Sequence, residues 1–184
     1  MKKVVFLDRD GVLNQDPPHY AHRIDQMQMI PGVDTAIKLL KDAGYFLVVI
    51  SNQSGVARGY YPEEQIAVFN EALMKEIRKG GGDIDVFCYC PHHPEAPLEK
   101  YRVDCECRKP KPGMIFDAAK KYDLDLSTAV LVGDKETDVQ TGRNAGIKTI
   151  LVLSGQGRDE IEKVEGDDFL VADDLLDAVR RYIL

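Results

Sequence analysis

Residues 4–11 read Val-Val-Phe-Leu-Asp-Arg-Asp-Gly, and this stretch decides the fold. Its four apolar residues form an unbroken run, which is typical of a strand buried on both faces of a parallel sheet. Two acids separated by one residue follow, so Asp8 and Asp10 are expected at the carboxyl end of that strand. A carboxylate placed there can attack phosphorus, and a second one nearby can transfer protons. The competing interpretation is a helix cap or a turn, where Asp is also common.

The rest of the chain repeats the alternation of apolar run and helix. Five further runs have the length of buried strands: Phe46–Ile50, Ile84–Tyr89, Ala129–Val132, Ile147–Leu153 and Phe169–Val171. Segments with helical periodicity lie at about Val33–Ala43, Pro62–Arg78, Gly113–Tyr122, Thr137–Ala145 and from Asp173 onward. This pattern predicts an α/β fold with a doubly wound, mainly parallel sheet. No block is large enough for a separate cap domain, so residues 1–184 are predicted to form one domain.

Composition excludes several classes of partner. The chain has 184 residues and a net charge of −7, which argues against a nucleic-acid partner. The N-terminal apolar run is too short for a signal peptide, and no stretch reaches the eighteen apolar residues of a membrane span. We therefore expect a cytoplasmic protein with no membrane partner. No apolar surface segment is left over in the sequence, which favours a monomer.

Three further strand ends bear polar side chains. Because ligands bind at the carboxyl ends of parallel strands, Ser51, the basic segment after the third strand and Asp134 are expected near Asp8. A serine hydroxyl suits an anionic oxygen, and Lys109 can neutralise a transferring phosphoryl group. Arg108 offers a planar fork for a second phosphate. Taken singly, each segment is equally well an ordinary loop, a solvated basic run or a helix surface.

The four cysteines of the chain lie within twenty residues of one another. Cys90-Pro91-His92 and Cys105-Glu106-Cys107 form two close pairs of ligands that suit a tetrahedral zinc ion. The turn-rich loop at about 88–108 has no hydrophobic periodicity, so a structural zinc would help to fold it. Two alternatives stay open on spacing alone: Cys88 as a fourth cysteine ligand, or His93 as the imidazole.

Four strand-end segments occur in order: FLDRDG at 6–11, ISNQS at 50–54, RKPKPG at 108–113 and VGDKETD at 132–138. As a set they resemble the motifs of the haloacid dehalogenase-like phosphohydrolases, over roughly residues 4–152. The resemblance implies that Asp8 is the nucleophile and that Asp10 is the acid and base. It also implies that Ser51 and Lys109 hold the phosphoryl oxygens. Mg²⁺ would be held by Asp8, Asp134 and the backbone carbonyl of Asp10.

The loop between the two ligand pairs resembles the zinc-containing branch of that family, which includes heptose bisphosphate phosphatases and histidinol-phosphatases. That likeness favours one set of zinc ligands: Cys90, His92, Cys105 and Cys107. The long gap between the pairs is similar to that of the heptose enzymes. It implies removal of the 7-phosphate of a small-molecule sugar bisphosphate in nucleotide-activated heptose biosynthesis. The substrate contacts that the resemblance implies are Asp16, His19, Tyr20, Ser51, Asn52, Gln53, Ser54, Arg108, Lys109 and Lys135.

Three other functions compete with this interpretation. The nearest is a phosphatase of histidinol phosphate, which would use the same chemistry. A phospho-receiver domain shares the doubly wound sheet and the acidic strand ends, but it needs neither Asp10 as an acid nor a zinc loop. A nucleic-acid end phosphatase is disfavoured by the acidic net charge.

Overall fold

The computed structural model of the chain describes residues 1–18 and 20–184. A six-stranded sheet with the order β3-β2-β1-β4-β5-β6 forms its centre, and all five neighbouring pairs are parallel. The strands are β1 (Lys2–Leu7), β2 (Phe46–Asn52), β3 (Val86–Cys90), β4 (Leu124–Gly133), β5 (Lys148–Val152) and β6 (Leu170–Ala172). The fold class predicted from the sequence is therefore confirmed.

Helices cover both faces of this sheet. They are α1 (Val33–Asp42), α2 (Ser54–Ala57), α3 (Glu64–Lys79), α4 (Gly113–Tyr122), α5 (Glu136–Ala145), α6 (Gly157–Glu160) and α7 (Leu175–Ala178). Side chains of β1 alternate between two hydrophobic cores. Val5 and Leu7 join the core that contains residues of α1, α3 and α7, whereas Val4 and Phe6 join the core that contains residues of α4. All four are fully buried, as an unbroken apolar strand predicts.

Some element bounds differ from the sequence prediction for identifiable reasons. Strand β4 starts at Leu124 rather than Ala129, because Leu124 pairs with Lys2 across a register shift in β1. The segment after Ser51, predicted as a loop, forms one helical turn in α2. At the C-terminus, Asp174 accepts a hydrogen bond from the backbone N–H of Asp177, which starts α7 at Leu175 instead of Asp173.

The strand order places the candidate residues at one edge of the sheet. From the central strand β1 the chain proceeds to β2 and β3 on one side, and then to β4, β5 and β6 on the other. The carboxyl ends of β1, β2 and β4 are therefore neighbours at the point where the order reverses, which is where open parallel sheets bind ligands. None of the helices in the described ranges is long and apolar enough to cross a membrane.

Candidate active site and zinc-ligand cluster

Asp8 directly follows β1 and is 4% exposed. Its Oδ1 accepts a hydrogen bond from the backbone N–H of Arg9 at 2.8 Å and lies 3.0 Å from the Nζ of Lys109. Burial raises the pKa of Asp8 to about 6, although the Lys109 ammonium acts in the opposite direction. The carboxylate predicted to attack phosphorus is thus held at a fixed place beside a cation.

Lys109 is held from three sides. Its Nζ lies 2.6 Å from Asp138 Oδ1 and donates to the backbone oxygen of Ile50 at 3.2 Å. Its backbone is paired twice with the side chain of Asn52, through Nδ2 to the Lys109 oxygen and from the Lys109 N–H to Oδ1, both at 3.0 Å. Burial alone would lower the pKa of Lys109, but the carboxylates of Asp138 and Asp8 raise it, so the ammonium stays charged.

Asp134 lies at the end of β4 and is fully buried. Its Oδ2 accepts a hydrogen bond from the backbone N–H of Gln156 at 2.8 Å, whereas Oδ1 finds no donor among the described residues. Burial and the charge of Asp8 raise the pKa of Asp134 to about 8. Two buried carboxylates that oppose each other's ionisation, one with an unpaired oxygen, fit a divalent cation bound by hard oxygen ligands.

Carboxylate oxygens of Asp8, Asp134 and Asp138 lie within 4.8 Å of one another. Both oxygens of Asp138 are already engaged, by Lys109 Nζ and by the backbone N–H of Lys135 at 3.1 Å. Asp138 therefore orients the lysine, and Asp8 and Asp134 are the carboxylates of this group that could hold a divalent cation. Gly11 allows this arrangement, because a Cβ at that position (φ +91°) would overlap the carboxylate of Asp134.

Asp10 is surrounded by donors. Its Oδ1 accepts from Arg9 Nε at 3.0 Å and Asn14 Nδ2 at 2.9 Å, and its Oδ2 accepts from Arg9 Nη2 and Gln53 Nε2, both at 3.0 Å. Burial alone would raise the pKa of Asp10, but the Arg9 charge and these hydrogen bonds hold it below its usual range. Asp10 is therefore fixed as a carboxylate beside Asp8.

The polar residues at the end of β2 and immediately after it divide into two groups. Ser51 and Asn52 line the site, while Gln53 and Ser54 are buried behind them. Gln53 Nε2 donates to Ser51 Oγ at 2.7 Å, and its Oε1 accepts from Tyr61 at 2.8 Å. Ser54 Oγ accepts from Arg108 Nη1 at 2.7 Å. In the described structure, Gln53 and Ser54 thus support neighbouring side chains, and their direct contact with substrate stays a prediction.

Two cavities that share lining residues open over these side chains. The inner cavity, about 50 Å³, is lined by the side chains of Asp8, Ser51 and Lys109 among others. The outer cavity, about 600 Å³, shares three lining residues with the inner one: Asp10, Asn52 and Lys135. A small anionic group can therefore enter the inner cavity while the rest of a larger molecule stays in the outer one.

The wall of the outer cavity combines predicted and unpredicted residues. Asp16 Oδ2 accepts from Lys135 Nζ at 2.9 Å and from Gln156 Nε2 at 2.7 Å, which fixes the segment that follows β1. Tyr20 also lines the cavity, whereas the predicted contact His19 lies outside the described residues. Arg58 and Gln156 line it without having been predicted. For Gln156 a signal existed, since Ser154-Gly155-Gln156-Gly157 follows the fifth apolar run.

The predicted zinc ligands lie together. Cys105 Sγ is 3.4 Å from Cys90 Sγ and 3.2 Å from Cys107 Sγ, and His92 Nδ1 is 3.9 Å from Cys90 Sγ and 3.8 Å from Cys107 Sγ. Zn–S bonds of about 2.3 Å and Zn–N bonds of about 2.0 Å place tetrahedral ligand atoms roughly 3.5–3.8 Å apart. Burial raises the pKa of Cys90. Because zinc binds thiolates, the ion would displace that proton.

The two alternative ligands lie elsewhere in the structure. Cys88 packs with the side chains of the core that contains α4, and the grouped ligand atoms do not include its sulfur. His93 Nδ1 accepts from the backbone N–H of Glu95 at 3.1 Å. The cluster joins the end of β3, at Cys90, to Cys107, which only Arg108 separates from Lys109.

Comparisons with known proteins identify the family to which this chain belongs. A family model described as HAD-hydrolase-like matches residues 106–178. The D-glycero-beta-D-manno-heptose-1,7-bisphosphate 7-phosphatase of Pasteurella multocida (strain Pm70) is 48% identical over 157 residues, which are 85% of this chain and 84% of that protein. The chain belongs to the heptose bisphosphate phosphatase family of the haloacid dehalogenase-like hydrolases. Membership in this phosphatase family confirms the resemblance and the enzyme class inferred from the sequence.

The heptose bisphosphate phosphatase family includes relatives named for both sugar anomers. A D-glycero-alpha-D-manno-heptose-1,7-bisphosphate 7-phosphatase of Photorhabdus laumondii is 41% identical over 160 residues, 86% of either chain. The crystal structure of D,D-heptose 1,7-bisphosphate phosphatase from B. bronchiseptica, complexed with magnesium and phosphate, superposes with a TM-score of 0.88 and 34% identity over 97% of both chains. That protein therefore holds magnesium and phosphate on this fold.

Proposed function

We propose that the chain is a Mg²⁺-dependent phosphatase that removes the 7-phosphate of D-glycero-D-manno-heptose 1,7-bisphosphate through an aspartyl-phosphate on Asp8. The observation that supports this most is the inner cavity, where a buried carboxylate lies 3.0 Å from a buried ammonium. In the proposed reaction, this pair acts as the nucleophile and the charge-neutralising group on one bound phosphoryl group. Members of the family supply the substrate class.

Hydrolysis proceeds in two displacements on phosphorus. In the first, Asp8 forms a bond to phosphorus while the bond to the sugar oxygen breaks, and that oxygen takes up a proton from Asp10. Because Asp10 is ionised in the described structure, it must bind that proton before this step. In the second, water attacks the phosphorus, Asp10 accepts the proton of that water, and the bond to Asp8 breaks to release inorganic phosphate. Ser51 and Lys109 bind the phosphoryl oxygens in both steps, because phosphoryl transfer depends chiefly on positioning and charge neutralisation.

Asp8, Asp134 and the backbone carbonyl of Asp10 would hold the Mg²⁺. When bound, the ion supplies positive charge that stabilises the transferring phosphoryl group. The unpaired Oδ1 of Asp134 and the raised pKa values of Asp8 and Asp134 support this assignment. The four-ligand cluster at Cys90, His92, Cys105 and Cys107 would hold Zn²⁺ in a structural role, because no ligand position is left for water.

The cationic side chains around the outer cavity favour a substrate that carries a second phosphate. Lys135 and Arg58 line it, and Arg108 lies beyond Ser54 on the side of the zinc-ligand cluster. Burial alone would lower the pKa of Lys135, but the carboxylates of Asp8, Asp134 and Asp16 raise it, so its charge is retained. Cations in an uncapped cavity favour a ligand that brings its own negative charge.

Phosphate release from three esters tests this substrate choice. With Mg²⁺ present, we expect kcat/KM for the β-anomer of the heptose bisphosphate to exceed that for the α-anomer, because the 48% identical relative is named for the β-anomer. Histidinol phosphate, which lacks a second phosphate, should be the poorest of the three. Preferential release from histidinol phosphate would contradict the proposed substrate, and stable phosphorylation of the protein without turnover would indicate a receiver.

A glycine substitution tests the proposed magnesium site. Gly11→Ala should raise the half-saturating Mg²⁺ concentration and lower kcat by about 100-fold or more, because its methyl group would displace the Asp134 carboxylate. Gly44→Ala is the matched control, since Gly44 has a similar φ of +82° with no atom within 4 Å of the added methyl group. That control should lose roughly 1 kcal/mol of stability and keep its Mg²⁺ dependence. Equal effects of the two variants on Mg²⁺ dependence would contradict the assignment.

A further inference from the structure

Three cationic side chains lie around the outer cavity or beside it: Lys135, Arg58 and Arg108. A phosphate binds best to a cation whose donors are not yet paired within the protein, because a donor that already has an acceptor must first give it up. The hydrogen bonds of these three side chains therefore indicate which of them can bind a second phosphate.

Two of the three side chains are already engaged. Lys135 Nζ donates to Asp16 Oδ2 at 2.9 Å, and Lys135 also lines the inner cavity, where its charge lies beside the site of the transferred phosphoryl group. Arg108 Nη1 donates to Ser54 Oγ at 2.7 Å and to the backbone oxygen of His92 at 3.0 Å. Arg108 is also not among the described residues that line either cavity.

Arg58 follows α2 directly and lines the outer cavity but not the inner one. Its backbone is fixed, because its N–H donates to the backbone oxygen of Ser54 at 3.0 Å. Its side chain is exposed, and its guanidinium forms no ion pair with a carboxylate among the described residues. An arginine in this state can form a planar, two-bond fork with a phosphate.

The side chain that the Arg58 guanidinium approaches in the described ranges is not an acceptor. Arg58 Nη2 lies 3.5 Å from His93 Nε2. Because His93 Nδ1 accepts the backbone N–H of Glu95 at 3.1 Å, the proton of the imidazole belongs on Nε2. Two donors therefore meet at this contact, and the guanidinium still lacks an acceptor.

We propose that Arg58 is the specificity-determining residue of this site: its guanidinium binds the second phosphate of the sugar bisphosphate while the phosphate to be removed occupies the inner cavity. The inference rests on the proposed function and names the residue that recognises its substrate class. It assigns to Arg58 the contact that the sequence suggested for Arg108. Arg58 takes no part in the displacements on phosphorus, so its effect is on the binding of the bisphosphate.

The experiment compares two esters that present the same 7-phosphate: D-glycero-D-manno-heptose 1,7-bisphosphate and the 7-phosphate of the same sugar without the second phosphate. We expect Arg58→Gln to lower kcat/KM for the bisphosphate by about 10- to 100-fold, mainly through a higher KM, as loss of hydrogen bonds to a charged group predicts. Its kcat/KM for the 7-phosphate should fall by less than about threefold. Arg58→Lys, which keeps the charge but cannot form the fork, should give an intermediate loss on the bisphosphate.

Arg180→Gln is the matched control, because Arg180 is also exposed and is not among the described residues that line either cavity. Its preference for the bisphosphate over the 7-phosphate should equal that of the wild type. Equal losses on both esters in Arg58→Gln would overturn the inference. A preference that is lost in Arg108→Gln but kept in Arg58→Gln would overturn it as well.

The wild-type protein separates failure of this inference from failure of the proposed function. If the wild type prefers the bisphosphate by about tenfold or more and both Arg58 variants keep that preference, the proposed function stands and the inference is wrong. If the wild type hydrolyses neither ester, or hydrolyses both equally well, the proposed substrate is wrong and the inference falls with it.

Discussion

Asp8→Asn is expected to lower kcat for the heptose bisphosphate by at least about 10⁴-fold, because the amide has the shape of the carboxylate without its nucleophilicity. The variant should still fold. Lys109 Nζ loses one carboxylate but keeps Asp138 Oδ1 at 2.6 Å. Phosphate release under saturating Mg²⁺ tests the loss of activity, and a thermal unfolding curve tests whether the fold is retained. Asp85→Asn is the control, since Asp85 also pairs with a lysine, Lys41 at 2.6 Å, but lies outside the site.

The direction in which Asp8→Asn changes the stability of the fold is predictable. Burial raises the pKa of Asp8 from 3.8 to about 6, so the folded metal-free protein binds the proton more tightly than the unfolded chain does. The ionised carboxylate therefore costs stability, and this cost appears as the pH rises from about 4 through 6. With EDTA at neutral pH, the melting temperature of Asp8→Asn should equal or exceed that of the wild type.

The covalent intermediate gives this prediction a second readout. In Asp10→Asn the second displacement lacks its base, so a phosphorylated protein should accumulate from 4-nitrophenyl phosphate. Acid quenching and intact-mass measurement would then show one added phosphoryl group, which Asp8→Asn should not acquire. Turnover by Asp8→Asn near the wild-type rate would exclude Asp8 as the nucleophile.

Cys107→Ala is expected to have the second largest effect, on stability and activity together. Structural zinc contributes about 10 kcal/mol or more to the folding of small domains, and a loop with three ligands left should lose most of it. Because only Arg108 separates Cys107 from Lys109, the lysine should lose its fixed place as well. We expect little zinc in the purified variant, a melting temperature lower by 10 °C or more, and a kcat lower by about 100-fold, as loss of a charge-neutralising donor predicts.

Cys88→Ala is the matched control for the zinc-ligand cluster. Cys88 is a half-buried cysteine on the same strand as Cys90 and packs in the core that contains α4. This variant should keep about one zinc per chain and nearly full activity, with a modest loss of stability from the missing sulfur. Zinc loss in Cys88→Ala, or full zinc content in Cys107→Ala, would require a different set of ligands.

Local patterns were enough to predict the sheet and its reactive edge. The apolar run before Asp8 and the one before Asp134 fix two neighbouring strand ends, because burial on both faces leaves little choice of structure for such runs. The grouping of Cys90, His92, Cys105 and Cys107 was predictable only in part from spacing, since Cys88 and His93 fitted as well, and the family resemblance favoured this set. The start of β4 was not, because polar residues at Ser127 and Thr128 hide a strand that depends on pairing with β1.

Contacts between distant residues account for what the sequence did not predict. In the sequence, Arg9 is a single basic residue between Asp8 and Asp10. Its hydrogen-bond partner Asn70 lies 61 positions away, so no local pattern indicates the contact. The bond between Lys135 and Asp16 spans 119 positions. Gln53 was predicted to contact substrate, yet its amide lies buried between Asp10 and Tyr61. Such contacts depend on how the helices and strands pack together, and the hydrophobic periodicity of one segment does not predict them.

The zinc-ligand cluster also makes the position of Lys109 independent of the residues that lie between the two ligand pairs. Its paired ligands close both ends of the twelve-residue stretch 93–104, so the stretch starts and finishes at a fixed point beside β3. A change in the length or composition of this stretch therefore alters only the stretch itself, and Lys109, which follows Arg108, keeps its position. Since the described lining of the two cavities includes no residue of this stretch, its sequence can diverge among descendants of this protein while the residues that line the cavities are inherited intact.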